Sequence, residues 1–333
     1  MKTLVIGDIH EKVRWIEDVI KKEAPDEVVL LGDYFDSFVS THETATQTAE
    51  WLVHSVKQPN RHHIFGNHDL WYRFPVNDKL ICSGNTMDKC KLLGKIIQHK
   101  TWEKLTLFYF SQNFLFSHAG ISKHHFDHPV LGITLETIQK ECDKAMDAAY
   151  AGGVRASLRA GWSRGGDEKV GGIDWQDFDT EFRPITGWNQ MVGHTPHWST
   201  NGKGIIKYSP NKKNSLSTNY CVDFCGKYYT LIENGKVKFK ETGVEDYNKR
   251  EHALVGEPFI DGRKIIELDI NSRAGKGDSY GNRWDDDNQS STQPVVQPMN
   301  PNNTQYLVVP DVCKACGEPL EADGTCHHTH RID

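Results

Sequence analysis

The chain of 333 residues has no excess of basic residues and no long apolar run. Its 39 Lys and Arg residues against 45 Asp and Glu residues give a formal net charge of −6, so broad electrostatic binding to nucleic acid is not implied, although the charge leaves room for a local basic cleft. No stretch reaches the roughly 18 consecutive apolar residues of a membrane helix, and the apolar run before Gly7 is too short for a signal peptide. We therefore expect a soluble, cytoplasmic protein with no membrane partner.

Cysteine is too sparse over most of the chain to indicate a disulfide framework. Five of the eight cysteines have neither metal-binding nor redox spacing, so we expect free thiols in a reducing compartment. These are Cys82, Cys90, Cys142, Cys221 and Cys225. The other three lie close together near the C-terminus.

Apolar periodicity predicts alternating strands and helices in the first part of the chain. Strands are predicted over residues 2–7, 27–31 and 61–65, and helices over 12–23 and 41–57, with Thr41 as a candidate cap. This order indicates parallel βαβ units. Further along we expect a strand at 113–116, a helix at 135–150 and a β-rich region from residue 189. Its predicted strands are 191–192, 204–208, 220–224, 228–232 and 237–240.

Short polar fragments follow the apolar runs. They are Gly7-Asp8-Ile9-His10, Gly32-Asp33-Tyr34-Phe35-Asp36, Gly66-Asn67-His68-Asp69, Ser117-His118-Ala119-Gly120 and Gly193-His194-Thr195-Pro196, with Trp162-Ser163-Arg164 before the last. Functional groups gather at the carboxyl ends of parallel strands, so the polar side chains of these fragments should converge despite their separation in sequence.

The residue types in these fragments suit two divalent ions. Asp33 is the natural bridging ligand because one carboxylate can bind two ions, and Asn67 offers a neutral carbonyl oxygen. Mixed His and carboxylate ligands suit Mn²⁺, Fe²⁺, Zn²⁺ or Co²⁺ better than Mg²⁺ or Ca²⁺. Of these ions we expect Mn²⁺. Two ions about 3.5–4 Å apart would clamp phosphate oxygens and deprotonate a bridging water. The sequence therefore predicts a phosphoester hydrolase.

Over roughly residues 1–240 these motifs resemble the calcineurin-like metallophosphoesterase superfamily. Within it they resemble the phosphoprotein phosphatase branch, which includes bacterial and phage serine/threonine phosphatases and symmetrical diadenosine tetraphosphate hydrolases. The resemblance implies an α/β fold, with a β-sandwich of two mixed sheets flanked by helices around a βαβαβ core.

The resemblance also implies roles for the motif residues. The first ion is bound by Asp8, His10 and Asp33, and the second by Asp33, Asn67, His118 and His194. A hydroxide that bridges the ions is the nucleophile. His68 gives the leaving group its proton and Asp36 orients His68, which suits a side chain that titrates near neutral pH.

The chain departs from the branch at several positions. Ser37-Phe38 stand where Arg-Gly usually follows the second motif, so phosphate-binding charge is expected from Arg164, which we favour, or from Arg73. Pro196 stands where phosphodiesterases of the superfamily have a second His, which favours a phosphatase. The segment 171–175 resembles that of phage and bacterial members. If a phage encodes the chain, we expect the protein in the cytoplasm of the host.

Composition predicts three regions. We expect a catalytic domain over residues 1–270, a flexible linker rich in polar residues over 271–310, and a small module over 311–333. Cys313, Cys316 and Cys326, with His328 or His330, form a zinc-ribbon-like pattern for one structural Zn²⁺. The acidic composition of this module favours a protein partner over nucleic acid.

Three functions remain open from the sequence. The first is a phosphomonoesterase that acts on phosphorylated protein or on small phosphorylated substrates. The second is a nucleotide hydrolase with the same ions, of the diadenosine polyphosphate or phosphodiesterase type, for which nucleic-acid ends are among the candidate substrates. The third is a non-catalytic scaffold that the zinc ribbon targets to a partner.

Overall fold

The computed structural model describes residues 1–126, 132–197, 205–209 and 217–243. The chain divides into two units, Met1–Arg263 and Lys264–Asp333, and every described residue lies in the first. The predicted linker and the predicted zinc ligands Cys313, Cys316, Cys326, His328 and His330 lie outside the described residues.

Strands and helices alternate at the start of the chain, as the sequence predicts. In chain order the elements are β1 (Lys2–Ile6), α1 (Arg14–Glu23), β2 (Glu27–Leu30), α2 (His42–Ser55), β3 (Arg61–Ile64), α3 (Asn67–Arg73), α4 (Met87–Gly94), α5 (His99–Trp102), β4 (Leu105–Thr106), β5 (Phe108–Ser111), β6 (Phe114–Ser117), α6 (Leu135–Tyr150), β7 (Asn189–Val192), β8 (Ile205–Ser209), β9 (Ser217–Cys221), β10 (Tyr228–Glu233) and β11 (Lys236–Glu241).

The strands form two mixed sheets, which confirms the predicted fold class. The six-stranded sheet has the order β11-β10-β1-β2-β3-β4, with β1 to β4 parallel and β10 antiparallel to β1. The five-stranded sheet has the order β5-β6-β7-β9-β8, in which β6, β7 and β9 are parallel. The carboxyl ends of β1, β2 and β3 therefore share one edge of the first sheet.

Alternate residues of the first sheet belong to two different cores. Val5 and Val29 cluster with Phe116 and Met191 of the second sheet, which is the contact of a sandwich. Their neighbours, such as Leu4, lie in the larger cluster that includes residues of the helices. Successive side chains of a strand point to opposite faces. A strand between a second sheet and a helical layer must therefore be apolar throughout, which explains the unbroken apolar runs.

Local differences from the predicted elements have physical reasons. The helix predicted at 41–57 begins as expected, because the Thr41 hydroxyl accepts a hydrogen bond from the Thr44 amide. The strand predicted at 220–224 ends earlier, at Cys221, ahead of a turn in which Cys225 has a φ of 55°. The five cysteines in the described residues are free thiols, as predicted. Among the described helices, none has the length and apolar content needed to cross a membrane.

Candidate metal centre

The predicted ligands lie just beyond the carboxyl ends of strands. Asp8 follows β1 by two residues, Asp33 follows β2 by three, and Asn67 begins α3 three residues after β3. His118 comes directly after β6 and His194 two residues after β7, so the second sheet also contributes to the same place. The structure therefore brings the polar fragments of both sheets together, each at the carboxyl end of a strand.

The backbone at this edge is unusual. His10, Asp33, Asp36 and His194 have φ values of 42°, 49°, 65° and 67°, in the left-handed region that non-glycine residues rarely adopt. A residue is kept in such a conformation only where the surrounding structure determines it, and such residues cluster at functional sites. The turns are tight enough that a Cβ atom on Gly66 would overlap the carboxylate of Asp33.

The side chains form two clusters that share one member. Asp8, His10 and Asp33 place their ligand atoms within 4.8 Å of one another, as do Asp33, His118 and His194. The Asp33 Oδ2 atom lies 3.7 Å from His10 Nε2 and 3.3 Å from His118 Nε2. Asp33 is therefore placed where one carboxylate could bind two ions.

The fourth side chain of the second cluster is Asn67. Its Oδ1 atom lies 3.1 Å from His118 Nε2, and His194 Nδ1 lies 3.2 Å from the same nitrogen. The second cluster thus presents one amide oxygen, one carboxylate and two imidazole nitrogens around a small space, which is the donor set that the sequence predicts.

The histidine rings are oriented by bonds on their far sides. His10 Nδ1 lies 2.9 Å from the carbonyl oxygen of Phe35, and His118 Nδ1 lies 2.7 Å from that of Leu31. A carbonyl oxygen only accepts, so both Nδ1 atoms carry a proton, and in the neutral form of each ring the unprotonated Nε2 faces Asp33. Metal-binding histidines are commonly held in this way.

The charges and burial of these side chains also bear on whether cations fit. Burial lowers the pKa of His118, but the charges of Asp33 and Asp8 outweigh it and raise that pKa to about 10. Burial, with the charge of Asp33, raises the pKa of Asp8 to about 6. Burial and the charge of His118 hold the pKa of His194 well below its ordinary value. These buried lone pairs and carboxylates favour positive charge among them, so divalent ions fit the residues present.

His68 and Asp36 form a pair beside the first cluster. His68 Nδ1 lies 3.1 Å from Asp36 Oδ2, and its backbone amide donates to Asp33 Oδ1 at 3.0 Å. The rings of His68 and His10 meet edge to face with centroids 5.3 Å apart. Burial lowers the pKa of His68, but the charge of Asp33 and the bond with Asp36 raise it well above its ordinary value.

The two predicted arginines lie in different places. Arg164, in a short 3₁₀ turn, donates to the carbonyl oxygen of His194 at 3.3 Å and pairs with Asp177 at 3.1 Å. Arg73 ends α3 and contacts His99 of α5 and the ring of Phe74. The structure therefore brings Arg164, and not Arg73, to the backbone of a predicted metal ligand.

Sequence reasoning missed the residues that support the centre. Asp69, inside one of the recognised fragments, accepts the backbone amides of Tyr34 and Gly66 at 2.8 Å each. Lys89, on a helix that periodicity did not predict, lies 2.6 Å from Asp36. The sequence gives a weak indication of one of these bonds, because an acidic residue three positions after Gly66 can accept the Gly66 amide and cap the helix that follows.

A family model and several solved structures match more than half of this chain. A family model described as calcineurin-like phosphoesterase matches residues 1–213. No curated protein matches the chain. A cold-active protein-tyrosine phosphatase of a psychrophilic Shewanella species is 15% identical, with 72% of this chain and 78% of that chain covered and a TM-score of 0.44. A protein serine/threonine phosphatase from Saccharomyces cerevisiae is 16% identical, with 74% and 82% covered and a TM-score of 0.42.

Proposed function

This chain belongs to the calcineurin-like phosphoesterase family, and on that premise we propose that it hydrolyses phosphomonoesters of proteins or small molecules at a dinuclear centre. It is a metal-dependent phosphoesterase, and the family uses two divalent ions. The observation that carries the proposal is the place of Asp33 in both ligand clusters. A single carboxylate with separate histidines on either side suits a pair of ions far better than one ion.

The proposed ligands divide between the ions as the clusters do. Asp8, His10 and Asp33 would hold the first ion, and Asp33, Asn67, His118 and His194 the second. Mn²⁺ remains our expectation for both. When bound, the ions supply Lewis-acid activation of the phosphate and of the attacking water.

His68 is the proposed proton donor to the leaving oxygen. Its Nδ1 atom is engaged by Asp36 at 3.1 Å, which leaves Nε2 to carry the proton that the departing alkoxide or phenoxide needs. The charge of Asp33 and the bond with Asp36 raise its pKa well above the ordinary value, which favours the protonated ring, and Asp36 fixes its orientation. This is the arrangement required of a general acid.

Arg164 is the proposed phosphate-binding side chain. It is anchored by Asp177 and by the His194 carbonyl, and about a quarter of its side chain is exposed (27%). A guanidinium can form bidentate bonds with a phosphate. Its bond to the backbone of His194 places it next to the second cluster.

The test combines metal analysis with a substrate panel on the full chain. Metal content would be measured by mass spectrometry for the wild type, for Asp33→Asn and for the exposed control Asp18→Asn. We expect Asp33→Asn to lose two ions per chain and nearly all turnover, while the control keeps both. The substrates are p-nitrophenyl phosphate, phosphopeptides, bis-p-nitrophenyl phosphate and diadenosine tetraphosphate.

The panel separates the proposed function from its rival. Preferred turnover of the monoesters supports the proposal, whereas preference for the diester or for diadenosine tetraphosphate would replace it with a nucleotide hydrolase or phosphodiesterase. Unchanged metal content in Asp33→Asn would refute the dinuclear centre itself.

A further inference from the structure

Asp36 is held by far more than the histidine it is proposed to orient. Each of its carboxylate oxygens accepts two bonds from side chains. The donors to Oδ1 are Tyr72 at 2.7 Å and Lys89 at 2.6 Å, and those to Oδ2 are Asn85 at 2.6 Å and His68 at 3.1 Å. All four acceptor positions of this carboxylate are therefore occupied, and it has little freedom to rotate.

Lys89 is the only one of these donors with a fixed positive charge. It lies on α4, 53 residues from Asp36 in sequence, and its side chain is 8% exposed. Its ammonium group also lies 3.5 Å from Glu11 Oε1. Burial of an ammonium group costs free energy unless the group is paired with negative charge. The carboxylates of Asp36 and Glu11 provide that charge for Lys89.

Glu11 extends the contact to the backbone of the same loop. It accepts the backbone amide of Asp36 at 3.1 Å, the Ser40 hydroxyl at 2.6 Å and the Thr44 hydroxyl at 2.5 Å. Its own φ is 62°, and it immediately follows the predicted metal ligand His10. The main chain and the side chain of Asp36 are thus both fixed by Glu11 and Lys89.

We propose that Lys89 is a positioning residue for the proton donor. By binding Oδ1 of Asp36 and offsetting the charge of Glu11, it keeps Oδ2 of Asp36 directed at His68 Nδ1. His68 then presents its protonated Nε2 atom to the leaving oxygen in one orientation. This inference rests on the proposed role of His68.

A purely structural role would make a different prediction. Lys89 also ties α4 to the loop before α2, so its removal could simply loosen the fold. Loosening would slow every substrate alike. Loss of proton donation slows only those substrates whose leaving group cannot depart as an anion without help.

The experiment therefore compares two leaving groups. Dinitrophenolate leaves without a proton, whereas phenolate from phenyl phosphate needs one. We would measure kcat and KM of the metal-loaded full chain on both esters for Lys89→Met, for the charge-conserving Lys89→Arg and for the exposed control Lys91→Met on the same helix.

We expect Lys89→Met to lower kcat on phenyl phosphate about 10- to 100-fold, part of the usual effect of a general acid, and on dinitrophenyl phosphate less than about 3-fold. Lys89→Arg should recover most of the loss on phenyl phosphate, and Lys91→Met should match the wild type. Equal losses on the two esters would overturn the proposal, as would wild-type rates on both.

Two further variants keep the result decisive. If Lys89→Met does not fold, the double variant with Glu11→Gln removes both charges and is measured in the same way. His68→Asn must itself lose far more on phenyl phosphate than on the dinitrophenyl ester. If it does not, the proposed role of His68 fails. If it does and the Lys89 variants lose equally on both esters, only the present inference fails.

Discussion

Asp69 connects the loops that carry Asp33 and Asn67, the proposed bridging and neutral metal ligands. Its carboxylate is fully buried (0% exposed) and accepts the amides of Tyr34 and Gly66 on separate oxygens, at 2.8 Å each. Tyr34 follows Asp33, and Gly66 precedes Asn67. The substitution Asp69→Asn keeps the size of the side chain but turns one acceptor oxygen into a donor.

The magnitude follows from the two bonds. Burial and the charge of Asp33 raise the pKa of Asp69 to about 8, so its two bonds are not counted here as bonds to a charged group. The asparagine keeps one acceptor oxygen and directs an NH₂ group at a buried N–H in place of the other, and a buried N–H group that loses its acceptor costs about 1–3 kcal/mol. We expect the free energy of unfolding to fall by about 1–3 kcal/mol. Metal affinity should fall about 10- to 100-fold, as when a group that orients metal ligands is removed.

Urea unfolding of the metal-free protein measures the first effect, and calorimetric titration with Mn²⁺ measures the second. The matched control is Asp78→Asn, an exposed aspartate that follows the end of α3 by a few residues. If Asp69→Asn unfolds within about 0.5 kcal/mol of the wild type and binds Mn²⁺ equally well, the two bonds do not support the loops as argued.

Three other perturbations have definite outcomes. Burial lowers the pKa of His63 from 6.5 to about 3, so its contribution to stability is complete above pH 6.5 and is lost as the pH falls toward 3. When the pH is lowered from 8 to 5, the free energy of unfolding in urea should fall by about 2 kcal/mol less for His63→Gln than for the wild type. An equal fall for both proteins would contradict this. Burial raises the pKa of Glu23, but hydrogen bonds from a tyrosine and two lysines outweigh it and hold that pKa at about 2. The stability that this ionised carboxylate adds is complete above pH 4.5 and is lost toward pH 2. Glu23→Gln should therefore lower the free energy of unfolding by about 1–3 kcal/mol at pH 7 and by almost nothing at pH 2.5. A difference from the wild type that stays constant with pH would refute this. Gly66→Ala places a methyl group on the Asp33 carboxylate and should abolish metal uptake, whereas Gly94→Ala, where the space is open, should not; normal uptake by both would exclude the overlap.

The part of the site that could be predicted is the part that strand order determines. Asp8, Asp33, Asn67 and His118 were expected together because each follows an apolar run, and parallel strands end at a common edge. The same patterns predicted the long helices α2 and α6, which have capping threonines. Motif and periodicity are both local signals, so they succeed where structure is set within a short stretch of chain.

The support of the site could not be predicted in this way. The helices α3, α4 and α5 have seven, eight and four residues, too few for a clear apolar period. Lys89 meets Asp36 across 53 residues, a contact that only the folded chain creates. The zinc-ribbon pattern and the domain boundaries lie outside the described residues and stay predictions.

The second ligand cluster spans the interface between the two sheets. Asp33 follows β2 of the six-stranded sheet, whereas His118 and His194 follow β6 and β7 of the five-stranded sheet. An ion held by all three would act as a cross-link between the halves of the sandwich, much as a disulfide joins two segments of a secreted domain. Removal of the ions by a chelator would then lower the stability of the sandwich as well as abolish activity. The metal-free enzyme would unfold at a lower temperature and be cleaved faster by proteases.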